Sequence, residues 1–154
     1  MARPVIVVGI DGSDGSLAAL RWALHEASLR QLSVEGVNGW LLPEAMLPGA
    51  ALGGGAAMQA SQECGQTVLD EAAQIAAREA PGVAFTALLI AKSPAEAVVA
   101  RSHDAELLVV GRRGHGGFLG VLLGSVANQV AHHASCPVVL MPAIARHTEK
   151  NVPT

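Results

Sequence analysis

Two short apolar runs, Val5 to Gly9 (VIVVG) and Leu107 to Gly111 (LLVVG), are valine-rich, uninterrupted by polar residues and closed by glycine. A strand with one solvated face alternates apolar and polar residues, whereas an unbroken run of this length is expected where both faces are covered, as in a parallel sheet between helical layers. Val138 to Met141 (VVLM), closed by Pro142, reads as a third strand of the same kind, and Val34 to Trp40 and Val83 to Ile90 as weaker ones. Between them the apolar residues fall at helical spacing: Leu17, Leu20, Leu24 and Ala27; then Val68, Leu69, Ala72, Ile75 and Ala76; then Val126, Val130 and Ala134. Ser93-Pro94-Ala95-Glu96 sets an N-cap serine, a proline at the first helical position and a glutamate at the third, and starts a helix that runs through Arg101.

Strand and helix therefore alternate along the chain, which implies a parallel sheet with right-handed crossovers and helices on both faces. In such a sheet a ligand collects at the carboxyl ends of the strands, where the strand order reverses. A chain of 154 residues, 51% hydrophobic and 15% charged, fits one domain with one principal site. The domain is expected over residues 1–145, with a tail over 146–154.

Composition removes several classes. Tyrosine is absent and the aromatic residues are Trp22, Trp40, Phe85 and Phe118, too few for the stacking platforms of single-strand nucleic-acid binders. The net charge of -3 argues against a phosphate-backbone partner. Asp11 interrupts the N-terminal apolar run before a signal-peptide core forms, and Pro43, Glu44, Pro48 and Gly53 to Gly55 spoil Leu41 to Ala60 as a membrane span. The region from Leu41 to Met58 reads as a long, partly disordered crossover. Cys64 and Cys136, without Cys-x-x-Cys or Cys/His spacing, are expected to be two buried reduced thiols in a cytoplasmic protein. His132 and His133 are adjacent on a helix and point about 100° apart, which suits no shared metal.

The densest signal lies between Gly111 and Ser125, where glycines stand at 111, 114, 116, 117, 120 and 124 after a strand and before a helix. Residues without Cβ let backbone N–H groups approach an anion closely or take positive φ, and a following helix start adds unpaired donors and the positive end of a dipole. One tight turn needs one or two glycines, so six indicate a cradle for phosphate. Ser125 can be either the helix cap or a phosphate ligand. Lys92 and Lys150 are the only lysines, no Gly-Lys-Ser/Thr is present, and the run does not sit in the first strand–helix turn, so neither a Walker loop nor a dinucleotide fingerprint fits.

Gly111, Gly114, Gly124 and Ser125 satisfy the spacing Gly-x2-Gly-x9-Gly-Ser, and with VIVVGIDGSDGS, SPAEAVV and HHASCPVVLMP in this order the chain closely resembles the ATP-binding branch of the universal stress protein family. The resemblance implies a three-layer α/β sandwich on a five-stranded parallel sheet of order 3-2-1-4-5, ATP binding, and homodimers formed through the last strand. It assigns Gly9 and Asp11 to the nucleotide pocket, the carboxylate near the ribose hydroxyls, and Val37 to the adenine. Gly111, Gly114, Gly116 and Gly117 match the triphosphate loop, and Gly124 with Ser125 its closing helix start. Arg112 and Arg113 are candidates to offset phosphate charge, and His115 reads as a polar residue of the ligand loop, not as a general base. With so few cations at hand, Mg2+ is expected to bridge the phosphate oxygens. The second strand departs from the family pattern in carrying Glu35, Asn38 and Trp40, as does the third helix start in carrying Lys92-Ser93.

The expected function is that of a nucleotide-dependent regulatory protein of the stress response. The rivals are a slow ATPase or self-phosphorylating enzyme, and a scaffold whose pocket has lost its use. No Walker-B acid, kinase catalytic loop or arginine finger supports the enzyme.

Overall fold

The strands and helices follow one another as β1 (Val5–Gly9), α1 (Asp14–Arg30), β2 (Ser33–Gly39), α2 (Gly54–Glu79), β3 (Phe85–Ile90), α3 (Pro94–Arg101), β4 (Ala105–Gly111), α4 (Ser125–His133) and β5 (Val138–Met141), with a 3-10 turn at Ser102–Asp104. The computed structural model describes residues 4–43, 54–114 and 122–143. The strands form one five-stranded sheet in the order β3-β2-β1-β4-β5, and every pair is parallel.

Strand parity builds two cores. Ile6 and Val8 of β1 and Leu107 and Val109 of β4 pack with Leu20, Leu24 and Ala27 of α1 and Leu69, Ala72 and Ala76 of α2. The alternate residues, Val5 and Val7 of β1 and Leu108 and Val110 of β4, meet Ala97 and Val98 of α3 and Ala127 and Val130 of α4 on the other face. Each unbroken valine-rich run thus feeds both layers, which is why neither run tolerates a polar residue.

The second strand reads weakly because it carries Glu35, and the fold supplies a partner. Arg101 at the end of α3 donates to both Glu35 oxygens, from Nε at 2.9 Å and Nη2 at 2.8 Å. The pair is partly exposed, so it contributes about 1 kcal/mol at most. At the start of α3, Pro94 takes the first turn and the Ser93 N–H donates to Glu96 Oε2 at 3.3 Å, as the capping spacing foretold.

Two expectations need correction. Residues from Gly54 to Met58 are not loop: α2 starts at Gly54. The N-terminal turn of a helix tolerates glycine, Ala56 and Ala57 favour helix, and Ser61 Oγ anchors the first turns by donating to the Trp40 carbonyl at 2.7 Å. Residues 44–53 of that crossover lie outside the described residues, as does the tail 146–154. Nor are both cysteines buried. Cys64 is exposed, because the inward face of α2 is set by Gly65, Leu69, Ala72 and Ala76, one residue out of phase with it.

Cys136 is partly covered, its Sγ lies 3.5 Å from the Pro137 carbonyl, and burial pushes its thiol above the usual range. A thiol reagent such as maleimide, added to the native protein at neutral pH, is therefore expected to label Cys64 first and Cys136 several-fold more slowly, about equal rates appearing only on unfolding. Peptide mapping of the labelled protein checks this, and faster labelling of Cys136 would contradict it. Among the described residues no helix is long and apolar enough to cross a membrane.

Candidate functional site

The order of the strands reverses between β1 and β4: the chain leaving β1 returns through β2, and the chain leaving β4 returns through β5. At that point the carboxyl ends of the strands border a cleft of about 440 Å³, within the range of small-molecule sites. Its floor is the ends of β1, β2 and β4, and its sides are the first turns of α3 and α4.

Gly9, Ile10 and Asp11 form the β1 side. The turn after Asp11 needs a residue with positive φ and has one in Gly12, at φ 81°. Ser13 then caps α1, its Oγ accepting from the Ser16 N–H at 3.2 Å. The same serine orients the carboxylate, since its N–H donates to Asp11 Oδ1 at 2.8 Å and its hydroxyl donates to that oxygen too. Ser16 Oγ accepts from the Asp11 N–H at 3.3 Å and donates to the Ser13 carbonyl at 3.1 Å. Asp11 is thus an oriented carboxylate on the cleft wall, and capping α1 is the task of Ser13.

The loop leaving β4 passes very close to α1. A Cβ on Gly111 would come within 2.8 Å of the Gly15 carbonyl carbon, and one on Gly15 within 2.8 Å of the Arg113 carbonyl oxygen. A Cβ on Gly114 would meet Asp11 Oδ2 at 2.7 Å. None of Gly111, Gly114 and Gly124 has a left-handed φ. Gly111 and Gly114 are required for space, a Cβ on Gly124 would make only ordinary contacts of 3.4 Å or more, and the positive φ that a glycine-dense loop suggests is used only at Gly12 among the described glycines.

Of the helices that start at this end, α1 and α4 differ in their caps. Gly124 is the N-cap of α4, with φ -71° and ψ 169°, and has no side chain to occupy the first N–H groups. Ser125 is therefore not the cap: it is the first residue of the helix, exposed on the cleft wall, with Val126 and Ala127 beside it. The first turn of α4 therefore opens on the cleft with its dipole's positive end.

On the β2 side Val37 lies on the wall, buried in the same core as α3 and α4. Gly39 lets the α3 start close over this end, because a Cβ there would be 2.6 Å from the Ser93 carbonyl oxygen and 2.8 Å from Pro94 Cα.

Of the residues singled out by sequence, Gly9, Asp11, Val37, Gly111, Gly114, Gly124 and Ser125 meet around this cleft. Arg112 does not line it; Arg113 does. The Arg112 backbone instead ties the loop down, its N–H donating to the Met141 carbonyl at 2.7 Å and its carbonyl accepting from Gly124 at 2.8 Å, while its buried Nε has no partner among the described residues. His115, Gly116 and Gly117 lie outside the described residues.

Sequence reasoning missed Asn38, Pro94 and Leu123, which also border the cleft. Asn38 Nδ2 donates to the Ile10 carbonyl at 2.8 Å and so ties the ends of β1 and β2 together. Its signal was an amide where a covered strand calls for an apolar residue. Among the described residues no group of three or more His, Cys, Asp or Glu could hold a metal ion.

Residues 3–142 match the model of the universal stress protein family. A universal stress protein of Mycobacterium tuberculosis (strain H37Rv) is 35% identical over 136 residues, which is 88% of this chain and 44% of that protein. The chain thus spans less than half the length of the mycobacterial relatives it matches. Among solved structures, a universal stress protein in complex with cAMP is 27% identical, with a TM-score of 0.65 over 93% of this chain and 99% of that one. Another, from Archaeoglobus fulgidus in complex with dAMP, is 25% identical, with a TM-score of 0.62 over 91% of this chain and 98% of that one.

Proposed function

As the chain belongs to the universal stress protein family, we propose that its cleft holds an adenine nucleotide and that the protein is a stress-response regulator whose contacts with partners depend on whether the cleft is filled. The observation that carries this reading is the first turn of α4, capped by a glycine and, among the described residues, without a side-chain cap bond, opening on a cleft whose other end is apolar. Backbone N–H groups of that turn suit phosphate oxygens. Val37 and Val98 offer an apolar seat for a base, and the oriented Asp11 carboxylate suits the paired hydroxyls of a ribose. The complexes of two relatives with cAMP and dAMP support the same ligand class.

ATP is the form we assign to the cleft, accompanied by Mg2+. Arg113 and a helix dipole of about half a charge offset only part of a triphosphate, and Asp11 on the same wall adds a negative charge. A divalent cation would supply the missing neutralisation. The reading also includes a cytoplasmic homodimer joined through β5, the edge strand that pairs with β4 alone among the described strands.

The test is direct. Freshly purified protein, denatured and examined by mass spectrometry, is expected to release an adenine nucleotide, and the emptied protein to bind Mg-ATP in calorimetry at micromolar concentration. Protein that neither carries nor binds adenine nucleotide overturns the reading.

A further inference from the structure

The carboxamide of Asn38 is held from two sides. Its Nδ2 donates to the Ile10 carbonyl at 2.8 Å, beside the bond in which the Ile10 N–H donates to the Val37 carbonyl at 2.8 Å. Its Oδ1 faces the other way, toward α2: a Cβ on Gly65 would overlap that oxygen and stand 3.1 Å from Asn38 Cγ. Gly65 lies one helical turn on from Ser61, whose Oγ ties α2 to the Trp40 carbonyl at 2.7 Å. The bare backbone of α2 thus backs the amide. Oδ1 is buried and has no hydrogen-bond partner among the described residues. A buried acceptor left unpaired weakens a fold, and this one adjoins an apolar core that includes Ile10, Leu69 and Leu89. Packing alone would be served better by an apolar residue, so the reason for an amide lies at its other end.

That end joins two parts of the cleft wall. Asp11 follows Ile10 and Val37 precedes Asn38, so the bond from Asn38 to Ile10 sets how far the oriented carboxylate stands from the apolar seat. We propose that Asn38 is a positioning residue for the adenine ligand: backed by Gly65, its carboxamide fixes the separation of the ribose and base ends of the cleft, acting through Ile10. The proposal rests on the nucleotide reading and adds to it the contact with α2. A ligand that spans both ends gains from a gap already set, because less has to be ordered on binding. Without the bond, the fitting separation must be selected from a wider range. The cost of that selection is bounded by the net worth of one hydrogen bond, about three- to tenfold in affinity.

Calorimetry with adenosine, AMP and Mg-ATP on wild type, Asn38→Ala, Gly65→Ala and the double variant tests this, with urea denaturation to confirm that each is folded. Asn38→Ala is expected to weaken all three ligands alike, by about three- to tenfold, since base and ribose are common to them. Gly65→Ala should weaken them too, although Gly65 does not line the cleft, because its methyl drives the carboxamide off the Ile10 carbonyl. The other atom it meets, Leu89 Cδ1 at 2.8 Å, is the tip of a side chain that can turn aside. Once Asn38 is alanine the methyl has room, so adding Gly65→Ala should change affinity by less than about twofold; two unrelated structural lesions would add instead. Hydrogen exchange on the ligand-free protein gives a readout that needs no nucleotide: Asn38→Ala should speed the Ile10 amide by a larger factor than the Val109 amide in β4. Unchanged affinity in either single variant, additive losses in the double variant, or an Ile10 amide sped no more than Val109 overturns the proposal and leaves the nucleotide reading standing. Wild type that binds none of the three ligands overturns that reading, and the proposal with it.

Discussion

Gly114→Glu is expected to lower affinity for AMP and Mg-ATP by about a hundredfold or more while leaving the domain folded. The site offers no room: a Cβ at this position meets Asp11 Oδ2 at 2.7 Å, so even the first atom of the new side chain displaces the oriented carboxylate. The rest of the glutamate then puts a second negative charge between Asp11 and the open turn of α4, where phosphate is to sit. Like charges brought together at a binding site cost several kcal/mol, and each 1.4 kcal/mol is about a factor of ten in affinity. Gly114 itself is exposed, so the fold should lose little, within about 1 kcal/mol by chemical denaturation. Calorimetry beside a denaturation curve separates the two effects. The same variant divides regulator from scaffold, because a regulator should lose nucleotide-dependent partner capture whereas a scaffold should capture partners as before. Normal AMP binding by Gly114→Glu would show that phosphate lies elsewhere.

Much of this architecture could be read from the residues, and the reasons are local. Val5 to Gly9 and Val138 to Met141 coincide with β1 and β5, because an apolar run covered on both sides admits no polar residue. β4 begins two residues earlier than its apolar run, at Ala105, and β2, read over Val34 to Trp40 and found at Ser33–Gly39, gave only a weak signal because of Glu35, whose neutraliser Arg101 lies 66 residues away. No window along the chain contains that pair. The start of α2 was obscured by its glycines, since what holds the turn is a contact from Ser61 to Trp40 across the fold.

The site divides in the same way. Gly111, Gly114, Gly124 and Ser125 could be named because a glycine-dense run follows a strand there with the spacing of the family it resembles, and Asp11 through that resemblance alone. Which of Arg112 and Arg113 reaches the cleft depends on how the chain leaves β4, and that is decided by the crossing with Gly15, far away in sequence. Asn38 and Pro94 border the cleft only because β2 and α3 finish beside β1. Of the two reasons the sequence offered for the loop glycines, close backbone approach and positive φ, Gly111 and Gly114 use the first, though against the protein's own atoms.

That closeness leads to the second large effect. Gly111→Ala is expected to destabilise the protein by about 2–3 kcal/mol, the upper part of the usual cost of overpacking. The added methyl would lie 2.8 Å from the Gly15 carbonyl carbon and 3.1 Å from its Cα, atoms of backbone that cannot rotate away as a side chain does. β4 is central and paired on both sides, so the loop must yield at the first turn of α1. Displacing that turn shifts Ser13 and with it the hydrogen bonds that orient Asp11, so nucleotide affinity should fall together with stability. Gly55→Ala makes the contrasting case. It lies in α2 with nothing within 4 Å of its would-be Cβ, and alanine there should raise stability by up to about 1 kcal/mol. Urea denaturation of the two variants, read as midpoints at an unchanged slope, is the comparison. If Gly111→Ala were as harmless as Gly55→Ala, α1 and the loop after β4 would not be in contact through bare backbone, and the placement of Arg113 and Asp11 relative to each other would lose its physical basis.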